Sequence, residues 1–191
     1  MTRLIHLNGP PGIGKSTLAR RYVVDHPGVL VCDIDVLRTL VGGWEARFGE
    51  SGALIRPAAL ALITAYLSGG HDVVLPQMLV RAEELARFEA AATAAGAELV
   101  ERFVMDTEDA AVARFHRRGA ADAAAGGPLD GWHDQVRAIV AADGGDESLR
   151  RHHAALEQLL RERPRAVVVP SVEGSVDETY AALLASLAEP G

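Results

Sequence analysis

The segment Arg3–Ser16, RLIHLNGPPGIGKS, decides the fold of this chain. The mostly apolar Arg3–Asn8 predicts a short β-strand, and a helix is predicted over Lys15–Asp25. Between them, Gly9–Ser16 matches the pattern G-x-x-x-x-G-K-[ST] at every fixed position, in the strand-to-helix context that this pattern requires. Such a loop surrounds phosphate oxygens with backbone N–H groups, and the helix N-terminus adds a partial positive charge. The segment therefore predicts a phosphate-binding loop (P-loop) in an α/β protein.

Each residue type of this loop has a predicted chemical role. The glycines let the backbone approach a phosphate closely. Lys15 is the only lysine among the 19 lysine and arginine residues, and its compact ammonium is predicted to reach the β- and γ-phosphates. The Ser16 hydroxyl is predicted to ligate Mg²⁺, so the expected cofactors are ATP or GTP with Mg²⁺. The predicted nucleotide-binding residues are Gly9, Gly12, Ile13, Gly14, Lys15, Ser16 and Thr17.

The rest of the chain alternates predicted strands and helices, which favours a P-loop NTPase αβα sandwich with a five-stranded parallel sheet. Residues 42–55 are rich in glycine and predict an irregular loop, with Pro57 starting the next helix. Gly119 is predicted to end another helix. The further predicted strands are Val29–Asp33, Asp72–Leu75, Leu99–Met105 and Ala166–Val169. The further predicted helices are Asp35–Val41, Pro57–Ser68, Arg81–Ala95, Thr107–Arg118, Trp132–Ala142, Glu147–Arg163 and Val176–Leu187.

Length and composition limit the domain organisation and the partners. The 191 residues are 49% hydrophobic and predict one domain over residues 1–191, with a small helical lid over about residues 119–135. The formal net charge of −7 argues against a nucleic-acid partner, because phosphate backbones require a basic surface. The sequence shows neither a long uncharged apolar run nor a signal peptide, which predicts a cytoplasmic protein without a membrane partner. The oligomeric state stays open.

An acidic turn follows the second predicted strand. Asp33 and Asp35 would lie beside the phosphate-binding loop, and Arg38 follows Asp35 by one helical turn. A carboxylate here can accept the proton of a substrate hydroxyl or hold a water on Mg²⁺, for which Asp33 is the candidate. In the alternative interpretation, Asp35 only caps the next helix and Asp33 is solvated.

Other candidate substrate-binding residues follow the second and third strands. Many P-loop enzymes end a strand with an acid that orders Mg²⁺, but Asp72 precedes the third strand here. Gln77 and Arg81 follow that strand and are candidates for acceptor contacts, as is Trp44. Packing of Gln77 and Trp44 and solvation of Arg81 are the alternatives.

These motifs resemble a group of small P-loop kinases (AAA_33-like) that includes adenylate kinase-like, chloramphenicol phosphotransferase-like, zeta-toxin-like and polynucleotide kinase-like enzymes. Residues 73–80 and 101–118 are similar to tunicamycin resistance proteins, and the resemblance covers most of residues 3–118. It implies that Asp35 is the catalytic base with Arg38 as its partner. It also implies that Arg114 stacks on the nucleotide base and that Arg118, or Arg117, contacts phosphate. The alternative is an exposed, arginine-rich helix face.

The sequence as a whole predicts an ATP- and Mg²⁺-dependent phosphotransferase that acts on a hydroxyl of a small molecule. The expected catalytic residues are Asp35, Lys15, Arg118 and Arg38. The resemblance favours an antibiotic- or nucleoside-like acceptor. The alternative is a nucleotide-gated drug-binding protein of the tunicamycin-resistance type, without efficient transfer.

Overall fold

A computed structural model describes residues 1–122 and 132–188, with the backbone only for residues 118–122. Strands and helices alternate along these ranges, as the sequence predicts. The strands are β1 (Arg3–Asn8), β2 (Leu30–Val31), β3 (Val73–Leu75), β4 (Glu98–Met105) and β5 (Val167–Pro170). The helices are α1 (Lys15–Asp25), α2 (Ile34–Thr39), α3 (Phe48–Ser68), α4 (Ala82–Ala94), α5 (Glu108–Asp122), α6 (Trp132–Ala142), α7 (Asp146–Glu162) and α8 (Val176–Ala188).

The five strands form one parallel sheet in the order β2-β3-β1-β4-β5. β1 lies at its centre, where Ile5 is in register with Val74 of β3 and Val100 of β4. This confirms the predicted five-stranded α/β sheet. The carboxyl ends of parallel strands share one edge, so the segments that follow β1, β2 and β3 meet there.

Helices cover both faces of the sheet, because side chains alternate between the faces along each strand. Leu4 of β1 packs into a core formed with α3, α4 and α7. Ile5 and Leu7 pack on the other face against α1 and α8. A smaller apolar cluster joins α5, α6 and α7 through Phe115 and Val140. The molecule is therefore an αβα sandwich, as predicted, with α5 and α6 beside it.

One prediction fails between β2 and β3. The region expected as a loop up to residue 55 becomes helical at Phe48, so Pro57 lies inside α3 rather than at its start. Proline at an interior position removes one helical hydrogen bond. The helix nevertheless continues, because Ser51 and Gly52 are buried where the first turns of α3 contact α2. Tertiary packing overrides the local signal here.

Other element boundaries also differ from the prediction. β2 is limited to Leu30–Val31, and α2 begins at Ile34. α5 continues through Gly119 to Asp122, so this glycine does not end the helix. Of the predicted lid, residues 123–131 lie outside the described residues, and residues 132–135 form the first turn of α6.

Helix α3 is long and apolar enough to cross a membrane, by length and composition only. Here Ala59, Ile63 and Leu67 face the sheet and are buried in its core. A single such helix is weak support for a membrane span, since core helices pass the same test.

Candidate functional site

The loop between β1 and α1 has a backbone that depends on glycine. The φ angles of Gly9 and Gly12 are 145° and 80°. A Cβ atom at Gly9 would lie 2.2 Å from the carbonyl oxygen of Val104, and one at Gly12 would lie 3.3 Å from Cα of Phe115. Gly14, with φ 106°, precedes the first residue of α1, and a Cβ there would have no heavy atom within 4 Å. The helix N-terminus is thus open to an approaching anion.

Lys15 directs its ammonium into this loop. Its Nζ donates to the carbonyl oxygens of Gly9 and Pro10, both at 2.8 Å, and the side chain is buried. The positive charge is therefore held at the centre of the predicted phosphate site.

Asn8 anchors the start of the loop. Its Oδ1 accepts from the N–H groups of Gly9 at 2.9 Å and Leu79 at 3.0 Å, while Nδ2 donates to the carbonyl oxygen of Leu79 at 2.8 Å. His6 makes a similar link, with Nε2 2.8 Å from the carbonyl oxygen of Gln77. Burial lowers the pKa of His6 to about 4, so the neutral ring donates from Nε2. Neither residue was identified as functional from the sequence, although an asparagine at the end of a mostly apolar strand could have indicated such a role.

The acidic turn caps α2 through Asp33, not Asp35. Oδ1 of Asp33 accepts from the N–H groups of Asp35 at 3.1 Å and Val36 at 3.4 Å, and the residue is buried. The interpretation that Asp35 is the cap and Asp33 is solvated is therefore wrong. The reason is that α2 begins one residue earlier than predicted.

The side chain of Asp35 does not cap α2 and lies in a different environment. It is half-buried, and burial together with the neighbouring charge of Asp33 raises its pKa to about 6, against the opposing charges of Arg38, Lys15 and Arg56. A carboxylate of this basicity is ionised for the most part at pH 7 and can still accept a proton.

A cavity of about 570 Å³ opens on this side of the loop. It is called the acceptor-side cavity below. It brings together nine predicted site residues, namely Gly12, Gly14, Lys15, Ser16, Asp33, Asp35, Arg38, Gln77 and Arg81. Phe48, Arg56 and Trp132 are among the other residues that line it. Arg56 on α3 was not predicted, because its segment was expected to be a loop that leads into a helix.

The predicted acceptor contacts differ in their surroundings. Trp44 packs with its ring 6.0 Å from that of Trp132, but does not line the acceptor-side cavity. Arg81 is largely exposed and donates to Glu84 at 2.7 Å. Gln77 is buried, and its Oε1 has no hydrogen-bond partner among the described residues.

A second cavity, of about 410 Å³, lies on the other side of the loop and is called the base-side cavity below. Gly12 and Gly14 line both cavities. Ile13, Thr17, Arg114 and Arg117 line the base-side cavity, with residues 171–173 after β5. The loop therefore separates two spaces, each suited in size to a small ligand.

Arg114 joins three segments around the base-side cavity. Its Nη2 donates to the carbonyl oxygen of Ile13 at 3.1 Å, and its Nη1 donates to both oxygens of Ser171 at 3.1 Å. It also pairs with Asp106. Arg117 is half-exposed and pairs with Glu173. The side chain of Arg118 lies outside the described residues.

The residues present fit a magnesium ion of the kind that P-loops hold. Among the described residues no group of three acidic, histidine or cysteine side chains could form a protein cage for a metal. Mg²⁺ needs few protein ligands when it keeps waters and binds phosphate oxygens. The Ser16 hydroxyl lines the acceptor-side cavity, and Oδ2 of Asp33 is buried without a hydrogen-bond partner among the described residues. Both could serve such an ion.

Comparison with known proteins places these features in a family. Residues 4–142 match the profile of the AAA_33 family, described as an AAA domain. A presumed kinase from Chloroflexus aurantiacus J-10-fl has 16% sequence identity and a TM-score of 0.65, over 97% of this chain and 94% of that chain. A gluconokinase from Sinorhizobium meliloti 1021 has 19% identity and a TM-score of 0.58, over 95% and 91%. At these identities the two structures share the fold. A search of curated proteins finds no significant match.

Proposed function

The chain belongs to the AAA_33 family, and from this premise we propose that it is a kinase that transfers the γ-phosphoryl group of ATP, in the presence of Mg²⁺, to a hydroxyl of a small molecule. Family and fold support a P-loop enzyme of the kinase type. The nucleotide, the metal and the acceptor are our proposal.

One observation carries the proposal. The P-loop separates two cavities, and only the acceptor-side cavity is lined by Asp35, whose raised pKa suits it to accept a proton. Arg114 and residues 171–173 line the base-side cavity, which suits the nucleotide base. Asp35 lines the acceptor-side cavity together with Lys15. A kinase must hold its two substrates on opposite sides of the transferred group, and this division supports such an arrangement.

Asp35 is proposed as the general base. Its carboxylate accepts the proton of the acceptor hydroxyl as that oxygen bonds to the γ-phosphorus and the bond between this phosphorus and the bridging oxygen of ADP breaks. The pKa of Asp35, raised to about 6, keeps the group ionised yet basic at neutral pH. Positioned proton transfer of this kind contributes roughly 10²–10⁴-fold in rate.

Lys15 is proposed to neutralise the charge on the transferred group. It leaves its bonds to the carbonyl oxygens of Gly9 and Pro10 for the β- and γ-phosphates. Ser16 and Asp33 would hold Mg²⁺, which when bound neutralises phosphate charge and orients the phosphoryl group. Arg118 is proposed as a further phosphate contact on the resemblance alone.

An antibiotic- or nucleoside-like acceptor in the cytoplasm remains our proposal, on the basis of the resemblance to chloramphenicol phosphotransferase-like and tunicamycin resistance proteins. No nucleic-acid partner is proposed, in view of the net charge of −7, and a membrane partner is not part of the proposal either.

The test is incubation of the protein with ATP·Mg²⁺ and a mixture of hydroxyl compounds, read by mass spectrometry. We expect one compound to gain the mass of a phosphoryl group while ADP forms in equal amount. Lys15→Ala is the matched control and should abolish both signals. A compound that binds only with nucleotide and stays unmodified would favour the nucleotide-gated binding protein instead.

A further inference from the structure

Arg38 brings a buried positive charge without a hydrogen bond to its side chain, among the described residues, into the acceptor-side cavity. The residue is 7% exposed, and its Nε atom is buried without a hydrogen-bond partner in residues 1–122 and 132–188. Its side chain forms no ion pair with any residue that the structure describes, although the charge of Asp35 acts on it from a greater distance. Asp35 offsets only part of the cost of burying this cation, since the pKa of Arg38 is lowered on balance, and a bound anion would supply the remaining counter-charge.

Aromatic rings hold this guanidinium in place. Its central carbon lies 4.0 Å from the ring centre of Phe48 and 5.0 Å from that of Trp132. Gly52 makes room for it, since a Cβ there would lie 2.7 Å from Nη2. Ring faces attract the cation but accept none of its in-plane hydrogen bonds. The guanidinium is therefore held by its faces, and its N–H groups make no hydrogen bond to the described residues.

A second arginine lies close by. Arg56 of α3 also lines the cavity, and its Nε is likewise buried without a partner among the described residues. Its Nη1 donates to Glu84 of α4 at 2.7 Å, which fixes the side chain to a wall distant in sequence from the P-loop. Burial lowers the pKa of Arg38, the charge of Asp35 opposes this, and the charge of Arg56 lowers the pKa further. The carboxylate of Asp35 acts on both cations, since each of them lowers its pKa, but no hydrogen bond joins it to either one among the described residues.

Unmatched hydrogen-bond acceptors lie in the same cavity. Gln77 Oε1 and Asp33 Oδ2 are both buried without partners among the described residues. Buried polar atoms are nearly always paired in folded proteins. With Asp33 reserved for Mg²⁺, the remaining unpaired atoms belong to two cations and to Gln77, and they are the complement of a molecule that carries an anionic group and a hydroxyl.

We propose, on the basis of the proposed function, that the acceptor is a hydroxylated anion whose carboxylate or phosphate binds Arg38 and Arg56. The planar fork of arginine matches either oxyanion with two parallel hydrogen bonds. Oε1 of Gln77 accepts a hydrogen bond from one hydroxyl of the same molecule, and Asp35 faces the hydroxyl that reacts. This assigns Arg38 to the acceptor and leaves the ATP phosphates to Lys15 and the P-loop.

The experiment measures binding separately from transfer. The protein is loaded with Mg²⁺ and the non-hydrolysable analogue AMP-PNP, and calorimetry is run with matched pairs of probes. One arm pairs sugar acids and aromatic hydroxy acids with their primary amides, and the other pairs nucleoside 5′-monophosphates with nucleosides. We expect the anionic member of at least one pair to bind about tenfold or more tightly than its neutral partner, and the responding arm identifies the oxyanion.

Variants locate the anion site. Arg38→Gln and Arg56→Gln should each remove the preference for the anionic probe. Arg47→Gln, an arginine that is 64% exposed and does not line the cavity, should keep it. If Arg38→Gln unfolds, Arg38→Lys keeps the charge without the fork and should still weaken the preference.

Binding of neutral probes alone, binding of none of the anionic probes, or an anion preference that survives in both glutamine variants would overturn the inference. These failures differ from failure of the proposed function. If an anion binds but is never phosphorylated by ATP·Mg²⁺, the proposed kinase activity is contradicted and the proposed anion site is supported. If only a neutral probe is phosphorylated, the kinase activity is supported and the anion site is contradicted.

Discussion

The side-chain amide of Asn8 forms a double hydrogen bond with the backbone of Leu79, with Nδ2 donating at 2.8 Å and Oδ1 accepting at 3.0 Å. Because Oδ1 also accepts from the N–H of Gly9, one buried side chain fixes the start of the P-loop to the segment after β3. That segment carries Gln77 and Arg81, so the amide sets the position of the acceptor-side wall relative to the phosphates.

Replacing Asn8 with alanine should therefore affect both stability and acceptor binding. The substitution leaves the buried N–H and carbonyl of Leu79 and the N–H of Gly9 unpaired, and each unsatisfied group costs about 1–3 kcal/mol. We expect a clearly lower free energy of unfolding in urea and a raised KM for the acceptor.

Thr64→Ala is the control for Asn8→Ala. The Thr64 hydroxyl donates to the carbonyl oxygen of Leu60 within α3, so stability should change by no more than about 0.5 kcal/mol. Equal free energies of unfolding and equal KM values for the two variants would show that the Asn8 amide contributes no more than the Thr64 hydroxyl.

Lys15→Ala should greatly weaken ATP binding and transfer. Its ammonium lies inside the loop on the carbonyl oxygens of Gly9 and Pro10, and no other lysine exists in the chain. Loss of one such contact to developing charge costs on the order of 3–4 kcal/mol in the transition state. Calorimetry with ATP·Mg²⁺ and steady-state rates test this, and unchanged ATP affinity would refute the phosphate-binding role.

Asp35→Asn separates the proposed base from structural effects. Asp33 provides the cap of α2, so the near-isosteric change at position 35 removes no capping interaction. We expect ATP affinity close to that of the original protein and phosphoryl transfer reduced by roughly 10²–10⁴-fold. A variant that transfers phosphate at the original rate would exclude Asp35 as the base.

The pH dependence follows from the raised pKa of Asp35, about 6 in the folded protein against an ordinary 3.8. Only the ionised carboxylate accepts a proton, so kcat should fall by about tenfold per pH unit below pH 6, and Asp35→Asn should lack this limb. The folded state also holds the proton more tightly than the unfolded state. The stabilisation of the folded state by this proton is complete below pH 3.8 and is lost as the pH rises through 6. Asp35→Asn should thus match the original stability at low pH and exceed it above pH 6, in urea titrations at several pH values.

Arg114→Ala and Arg117→Ala should differ sharply, although both residues line the base-side cavity. Arg114 donates to the P-loop at Ile13 and to Ser171, so its loss should raise the KM for ATP and lower stability while kcat changes little. Arg117 forms one exposed ion pair with Glu173, worth about 0–1 kcal/mol. Steady-state kinetics at fixed salt decide this, and two small, similar effects would assign both arginines to a solvated helix face.

Arg118→Ala is predicted to lower kcat and to leave the KM for ATP nearly unchanged. A contact made mainly in the transition state affects the chemical step more than ground-state binding. A raised KM with constant kcat would instead place Arg118 at the bound nucleotide, and the phosphate contact would then be sought at Arg117.

Much of the fold could be predicted because its signals are local. The bounds of β1, α1 and α6 agree with the prediction at both ends. The predicted start of α3 and the predicted end of α5 were wrong. Pro57 is a strong local signal for a helix start and Gly119 for a helix end, but α3 already begins at Phe48 and α5 continues past Gly119. In the first case the buried contacts of Ser51 and Gly52 with α2 supply the stabilisation that the local sequence lacks.

By itself the sequence determined the P-loop and the parallel sheet, since residues 9–16 are contiguous and their conformation depends on glycine and on the adjoining strand and helix. Only the tertiary structure decided which carboxylate caps α2 and which is free, because a shift of one residue in the start of a helix exchanges these roles. It also decided the composition of the acceptor-side cavity. Arg38, Arg56 and Gln77 come from three separate segments, and their unpaired donors and acceptors become visible only when packing has removed water from around them.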